Sequence, residues 1–284
     1  MITVEQLSHS YTNNQVFAVK GISFQVAKGE VFGFLGPSGA GKSTTQGVLT
    51  GLLPLQKGRV QVAGYDLAKP QRTMFNKIGV SFEQSNVYGK LTAKENLDFY
   101  AKLFDVPTMS SIELLERVGL EKVANKPAAT FSKGMKHRLT FVRSMINNPE
   151  MWFLDEPTTG LDPAIAQEIK TIIREKHNQG TTVFLTTHNM QVADELCDRV
   201  AFIIDGEIKL IDSPRNLKLQ FGEKLVVVDH IVQGRRVTNQ FSLVLEEDKQ
   251  QLQRLIQTGQ IEMMHTKEAT LEEIFIQVTG RSLE

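Results

Sequence analysis

The sequence predicts an α/β fold: a mixed core sheet with an antiparallel edge sheet beside it, a helical lobe, and a small α+β appendage toward the C-terminal end. Three observations predict it. Apolar runs of strand length (Val31 to Leu35, Met151 to Leu154, Thr182 to Leu185, Val200 to Ile204) alternate with helical patterns, as strands covered on both faces do. Between about 90 and 148 the pattern turns helical throughout, which marks a separate lobe. Near Ser213-Pro214 the character changes to a Gln-rich tail with its own alternating stretches.

Taken in order, residues 2–7 and 16–26 alternate loosely and suit the antiparallel edge sheet. Val31 to Leu35 is the first core strand, and a helix-capable run, Ser43 to Leu53, follows it closely. Thr92 and Glu95 form a T-x-x-E capping box, with Ala93, Leu97, Tyr100, Ala101 and Phe104 on one helical face behind it. This helix belongs to a lobe over about 85–148, inside a first domain of residues 1–215. Residues 216–284 make the accessory domain, with strands expected at 225–232 and 236–245 and helices at 247–258 and 270–279.

Composition narrows the class. With 284 residues, 41% hydrophobic and 23% charged, the chain is an ordinary globular protein, neither disordered nor fibrous. Lys+Arg 32 balances Asp+Glu 32, so no global charge favours nucleic acid or anionic lipid, and no nucleic-acid partner is expected. The single cysteine, Cys197, excludes a disulfide framework and a multi-cysteine zinc site. Met1 to Gln6 lacks the basic and apolar regions of a secretory signal. No apolar run reaches the roughly 18–20 residues that cross a bilayer.

The chemistry is carried by two segments. Gly36-Pro37-Ser38-Gly39-Ala40-Gly41-Lys42-Ser43-Thr44 satisfies G-x-x-x-x-G-K-[ST], directly after one strand and opening a helix. The glycines let backbone N–H groups curl around phosphates, the helix N-terminus adds its dipole, Lys42 supplies a point charge, and the Ser43 hydroxyl suits Mg²⁺. A nucleoside triphosphate is therefore the expected ligand. Met151-Trp152-Phe153-Leu154-Asp155-Glu156 ends a buried strand in two acids. Asp155 is placed to meet Mg²⁺, directly or through water, and Glu156 to activate a water as general base. That pairing favours hydrolysis over phosphoryl transfer to another acceptor.

Phe131-Ser132-Lys133-Gly134-Met135 lies shortly upstream of the acidic strand, and with the two segments above it is similar to the signature of ABC transporter ATP-binding subunits. The likeness covers residues 1 to about 215 and implies a P-loop NTPase of ABC type. Phe131, Lys133 and Met135 depart from the usual LSGGQ, whereas Ser132 and Gly134 match it. By that resemblance Gln84 is the glutamine that ligates Mg²⁺, His188 the switch histidine, Gly160-Leu161-Asp162 the loop at the dimer seam, and Tyr11 the aromatic that stacks on adenine. The other five histidines, including His9, His137 and His177, lack metal-ligand spacing and are taken as solvated.

The resemblance implies an ATPase with ATP and Mg²⁺ as cofactors, working as a dimer in which Ser132 and Gly134 of one subunit close the site of the other. It further implies a second ATP-binding subunit, identical or not, and a separate membrane-spanning partner at the cytoplasmic face of the cell membrane. The segment Asn86-Val87-Tyr88-Gly89 is suited to receiving that partner. The signature and the tail (Ala269 to Phe275, then Thr279-Gly280-Arg281) resemble exporters of drugs and antibiotics of the daunorubicin-resistance kind. An ABC-type ATPase of a nucleic-acid or ribosome-linked system stays open as the alternative.

Overall fold

The computed structural model describes residues 1–12, 16–69, 71–232 and 234–281; of the expected accessory domain, residues 233 and 282–284 lie outside them. Two units divide the chain, Met1–Ser213 and Pro214–Arg281.

In the first unit, the parity of its phenylalanines decides how the layers stack. Strands β1 (Ile2–Ser10) and β2 (Phe17–Val26) pair antiparallel, and β3 (Val31–Leu35) is buried along its whole length. Helix α1 (Lys42–Leu49) follows, and then β4 (Lys57–Val62) and β5 (Tyr65–Asp66) extend the edge sheet to the order β2-β1-β4-β5. After β6 (Ile78–Ser81) comes the lobe, with α2 (Ala93–Ala101), α3 (Ser111–Glu116) and α4 (Lys133–Arg143) joined by short 3₁₀ turns. The remaining elements are β7 (Met151–Asp155), α5 (Pro163–Asn178), β8 (Thr182–Thr187), α6 (Met190–Leu196), β9 (Arg199–Ile204) and β10 (Glu207–Asp212).

The core sheet runs β10-β9-β3-β8-β7-β6, parallel except for the antiparallel β10. Because strand residues alternate between faces, Phe32, Phe34, Phe153 and Phe184 share one face. Phe24 of β2 packs on three of them, with ring centroids 5.5 Å from Phe32, 5.5 Å from Phe34 and 6.1 Å from Phe184. Each fully buried ring contributes roughly 2–3 kcal/mol, and together they join edge sheet to core sheet. On the opposite face Trp152 meets Phe141 of α4 at 5.1 Å, which ties the lobe to β7.

Local sequence sets the helix starts. The capping box at α2 forms as expected, Thr92 accepting from Glu95 N and Glu95 from Thr92 N. Ser132 caps α4, Asp162 caps α5 ahead of Pro163, and Asn189 caps α6. His9, His137 and His230 are corrections to the solvated reading: they are buried, at 2%, 5% and 9% exposure.

The second unit contains α7 (Pro214–Phe221), β11 (Leu225–Val232), β12 (Arg235–Ser242), α8 (Glu246–Thr258), β13 (Ile261–Lys267) and α9 (Leu271–Thr279). Its sheet is β12-β11-β13, antiparallel throughout, with Val226, Val228, Phe241 and Leu252 forming a small core. Pro214 opens α7 in the first turn, where a missing N–H has no intrahelical partner to lose. The second strand ends at Ser242 and not at 245, where Leu243 to Leu245 turn into the cap of α8.

Candidate active site

Register brings the site together. β3 pairs in parallel with β8 from Val31↔Val183 to Leu35↔Thr187, so the loop after β3 emerges beside His188. β7 pairs with β8 so that Asp155 lies opposite Thr186. These three strand ends therefore open onto one cavity of about 430 Å³, lined among others by Ser38, Gly39, Gly41, Lys42, Ser43, Thr44, Asp155, Glu156 and His188. Such a crevice beyond the carboxyl ends of parallel strands is where α/β sheets bind ligands.

The loop from Gly36 to Gly41 is shaped by close approach. A Cβ at Gly36 would stand 2.2 Å from Ile203 O, and Gly41 combines φ +106° with a Cβ position 2.6 Å from Ala18 O. Neither position admits another residue without moving backbone. Lys42 Nζ donates to Gly36 O at 2.6 Å and Pro37 O at 3.0 Å, so these two residues anchor the lysine from outside the cavity wall. Ala40 is buried and donates its N–H to Pro37 O. Burial lowers the Lys42 ammonium from its ordinary value, and the charges of Glu156, Asp155 and Glu83 oppose that shift.

Asp155 and Glu156 are adjacent, yet both line the cavity. Consecutive strand residues ordinarily point to opposite faces; Glu156 escapes that rule at φ +48°, in the left-handed region. Burial raises the Asp155 carboxyl above the usual carboxylate range, a hydrogen bond from the Thr186 hydroxyl lowers it, and the charges of Glu156 and Glu83 raise it further. Glu156 is held on both oxygens. Its Oε1 accepts from His188 N at 2.9 Å and lies 2.6 Å from His188 Nδ1. Its Oε2 accepts from Thr187 Oγ1 at 2.9 Å and Thr159 Oγ1 at 3.0 Å. Sequence reasoning passed over Thr159 and Thr187; the signal for Thr187 was its place immediately before His188.

The remaining expected residues fall elsewhere. Gln84 and Glu83 are both exposed; Glu83 borders the cavity and Gln84 does not. β6 stops at Ser81 and the chain bends at residues 83 and 84. Tyr11 is 64% exposed and outside the cavity wall, with its hydroxyl 3.1 Å from Thr44 Oγ1 and its ring edge-on to His9. Ser132 and Gly134 are also outside the cavity, at the start of α4, where the Ser132 hydroxyl accepts from Met135 N. Gly134 faces Leu161, whose Cδ2 is 3.7 Å from a would-be Cβ. Asp162 caps α5 by accepting from Ile165 N at 3.1 Å.

The family model described as ABC transporter matches residues 19–159. Over 284 residues, all of this chain and 94% of the relative, the sequence is 45% identical to a fluoroquinolones export ATP-binding protein of Mycobacterium tuberculosis. It is 36% identical over 231 residues, 80% of this chain and 74% of the relative, to a linearmycin resistance ATP-binding protein of Bacillus subtilis. Among solved structures, a dimeric ATP-binding cassette in a post-hydrolysis state with ADP and Pi matches at TM-score 0.70, with 26% identity over 75% of this chain and 98% of that one. An ATP-binding subunit of an ABC transporter matches at TM-score 0.71, with 28% identity over 78% and 93%. Likeness along the whole chain, added to a phosphate loop and an acidic strand end that share one cavity, means that the chain belongs to the ABC transporter family and is one of its ATP-hydrolysing subunits.

Proposed function

We propose that this ATPase drives a membrane exporter of the drug and antibiotic type, acting as a dimer that sandwiches ATP between subunits. The observation that carries the dimer is a division of labour. Lys42, Ser43, Asp155, Glu156 and His188 line one cavity, while Ser132 and Gly134 lie outside it on the N-terminus of α4. A second subunit brings its own α4 N-terminus, with the positive end of the helix dipole, to the nucleotide. Likeness over the full length to an export ATP-binding protein supports the direction of transport and the cargo class.

In this reading Lys42 neutralises the β- and γ-phosphates, and Tyr11 stacks on adenine from the rim. Glu156 takes the proton of the attacking water, and His188, Thr187 and Thr159 hold its carboxylate ready. The donors available to a cation (the Ser43 hydroxyl and the Asp155 carboxylate) are all hard oxygens, which fits Mg²⁺. Bound there with phosphate oxygens, Mg²⁺ supplies charge neutralisation to phosphoryl transfer.

No helix among the described residues is long and apolar enough to cross a membrane. Attachment to the cytoplasmic face therefore falls to a separate membrane-spanning subunit. Tyr88, 51% exposed and edge-on to Phe99 at 5.2 Å, offers it an apolar contact. The test is co-expression with the membrane proteins encoded beside this chain. The chain sediments with membranes when its partner is present, and Tyr88→Glu releases it while ATP binding persists. Sedimentation with ribosomes or DNA instead would refute the exporter reading.

A further inference from the structure

Beneath the cavity, a buried amide meets the hydroxyl that fixes Asp155. Among the described residues, the Asp155 carboxylate accepts one hydrogen bond, from Thr186 Oγ1. That hydroxyl has one proton and three oxygens within reach: Asp155 Oδ1, the nearest, Gln46 Oε1 at 3.1 Å and Leu154 O at 3.3 Å. Gln46 is 2% exposed and Thr186 is fully buried, so bulk water does not compete. The charged acceptor at the shortest distance takes the proton. Gln46 Oε1 and Thr186 Oγ1 then face each other as two acceptors, while the buried Gln46 Nε2 has no acceptor. The opposite turn of the amide satisfies both groups: Nε2 donates to Thr186 Oγ1, and Thr186 donates to Asp155. One carbonyl oxygen stays unpaired, a smaller penalty than an amide with neither N–H used. Gln46 follows Lys42 by four residues and Ser43 by three on α1, so it lies one turn behind the groups that line the cavity, on the same helix face.

We propose that Gln46 is a positioning residue for hydrolysis: its amide N–H holds the Thr186 hydroxyl toward Asp155, and Asp155 so held keeps its free lone pairs on the cavity side for the cation. The proposal rests on the ATPase reading and adds to it a residue that touches neither nucleotide nor cation. Two hydrogen bonds in series polarise and strengthen one another. Without the amide, the hydroxyl is free to swing to Leu154 O, and the carboxylate loses the bond that sets its rotation. A glutamine that only filled space behind the phosphate loop would act on the loop as a whole. Its loss would weaken nucleotide binding with or without a cation.

The experiment uses the full chain as wild type, Gln46→Leu, Gln46→Met, Thr186→Val and the double variant Gln46→Leu/Thr186→Val, each checked by its melting curve. Gln46→Met keeps the length of the side chain and serves if the leucine does not fold. Mn²⁺ affinity is read by electron paramagnetic resonance with a non-hydrolysable ATP analogue present. ATP affinity in EDTA is read by titration calorimetry, and kcat by phosphate release at saturating Mg-ATP. Groups that orient a metal's ligand are worth about 10–100-fold in metal affinity or activity, so both Gln46 variants are expected to lose at least about tenfold in Mn²⁺ affinity and in kcat. Their ATP affinity in EDTA stays within about twofold of wild type, as for an uncoupled site. In the Thr186→Val background, Gln46→Leu adds less than about twofold, because the group it acts through is gone. Wild-type Mn²⁺ affinity in the Gln46 variants would overturn the proposal. So would equal losses of ATP affinity with and without the cation, or an undiminished loss from Gln46→Leu on top of Thr186→Val. If wild type binds ATP under neither condition, the nucleotide reading itself fails, an outcome distinct from failure of Gln46 alone.

Discussion

Glu156→Gln tests the general base, and the hydrogen bonds around it say what else the change does. The carboxylate is 5% exposed as a residue and accepts on both oxygens, from His188 N and the His188 ring on one side and from two threonine hydroxyls on the other. A glutamine amide can turn its oxygen to His188 and its NH₂ to Thr159 and Thr187, whose hydroxyls accept as well as donate. No buried group is then orphaned. Charge-assisted bonds give way to neutral ones, a loss of about 1 kcal/mol each, and that loss is offset by no longer burying an anion, worth several kcal/mol. Stability is expected within about 1–2 kcal/mol of wild type, a shift of roughly 2–8 °C in melting temperature. Turnover, by contrast, falls by about 10²–10⁴, the contribution of a positioned base. Phosphate release at saturating ATP measures the rate, and size-exclusion chromatography detects the ATP-bound dimer, which persists longer when ATP survives. Glu156→Ala is the control. It strips His188 N and both hydroxyls of their acceptor and melts well below the glutamine variant. A folded Glu156→Gln protein that hydrolyses ATP at the wild-type rate refutes the assignment.

Other substitutions probe the surrounding parts. Gly134→Asp finds only Leu161 Cδ2 at 3.7 Å, so the subunit folds and binds ATP normally, while size-exclusion shows no ATP-driven dimer because a carboxylate meets the partner's γ-phosphate. Gly41→Ala adds left-handed strain at φ +106° to a Cβ 2.6 Å from Ala18 O, so stability falls by about 1–3 kcal/mol in urea titrations and ATP affinity falls with it. Arg143→Met removes the buried guanidinium that donates to Asn86 O and Asn86 Oδ1 and covers the Tyr100 ring at 4.7 Å, a loss of about 2–3 kcal/mol visible in the same titrations. Buried His137 is held below the ordinary histidine value of 6.5, chiefly by burial and then by the charge of Lys133. The unfolded chain therefore takes up a proton that the native state refuses, so stability is full above that value and declines as pH falls below it; His137→Leu flattens the decline between about pH 7 and pH 5.

The elements that continuous apolar runs announced are those buried on both faces. The four apolar runs became β3, β7, β8 and β9, with at most one position in any of these strands escaping full burial. Two strands that escaped notice are half-wet. β13 buries almost nothing along Ile261–Lys267, and β10 alternates only between exposed and half-buried, so neither prints a clear period on the sequence. α7 was masked differently, since Pro214 reads as a breaker in isolation and acts as a helix starter in context.

The same contrast runs through the site. Asp155, Glu156 and His188 could be named from sequence because each sits at or one residue past a buried strand's end, and Lys42 and Ser43 because they open α1 directly after the glycine loop. Glu83 and Gln84 follow β6 by two and three residues, beyond the strand's control. Spacing counts residues but not the direction in which a bend throws each side chain, and neighbours in a chain commonly face opposite ways. Matching a glutamine by residue type selected Gln84, while of the two exposed residues at this bend it is Glu83 that borders the cavity.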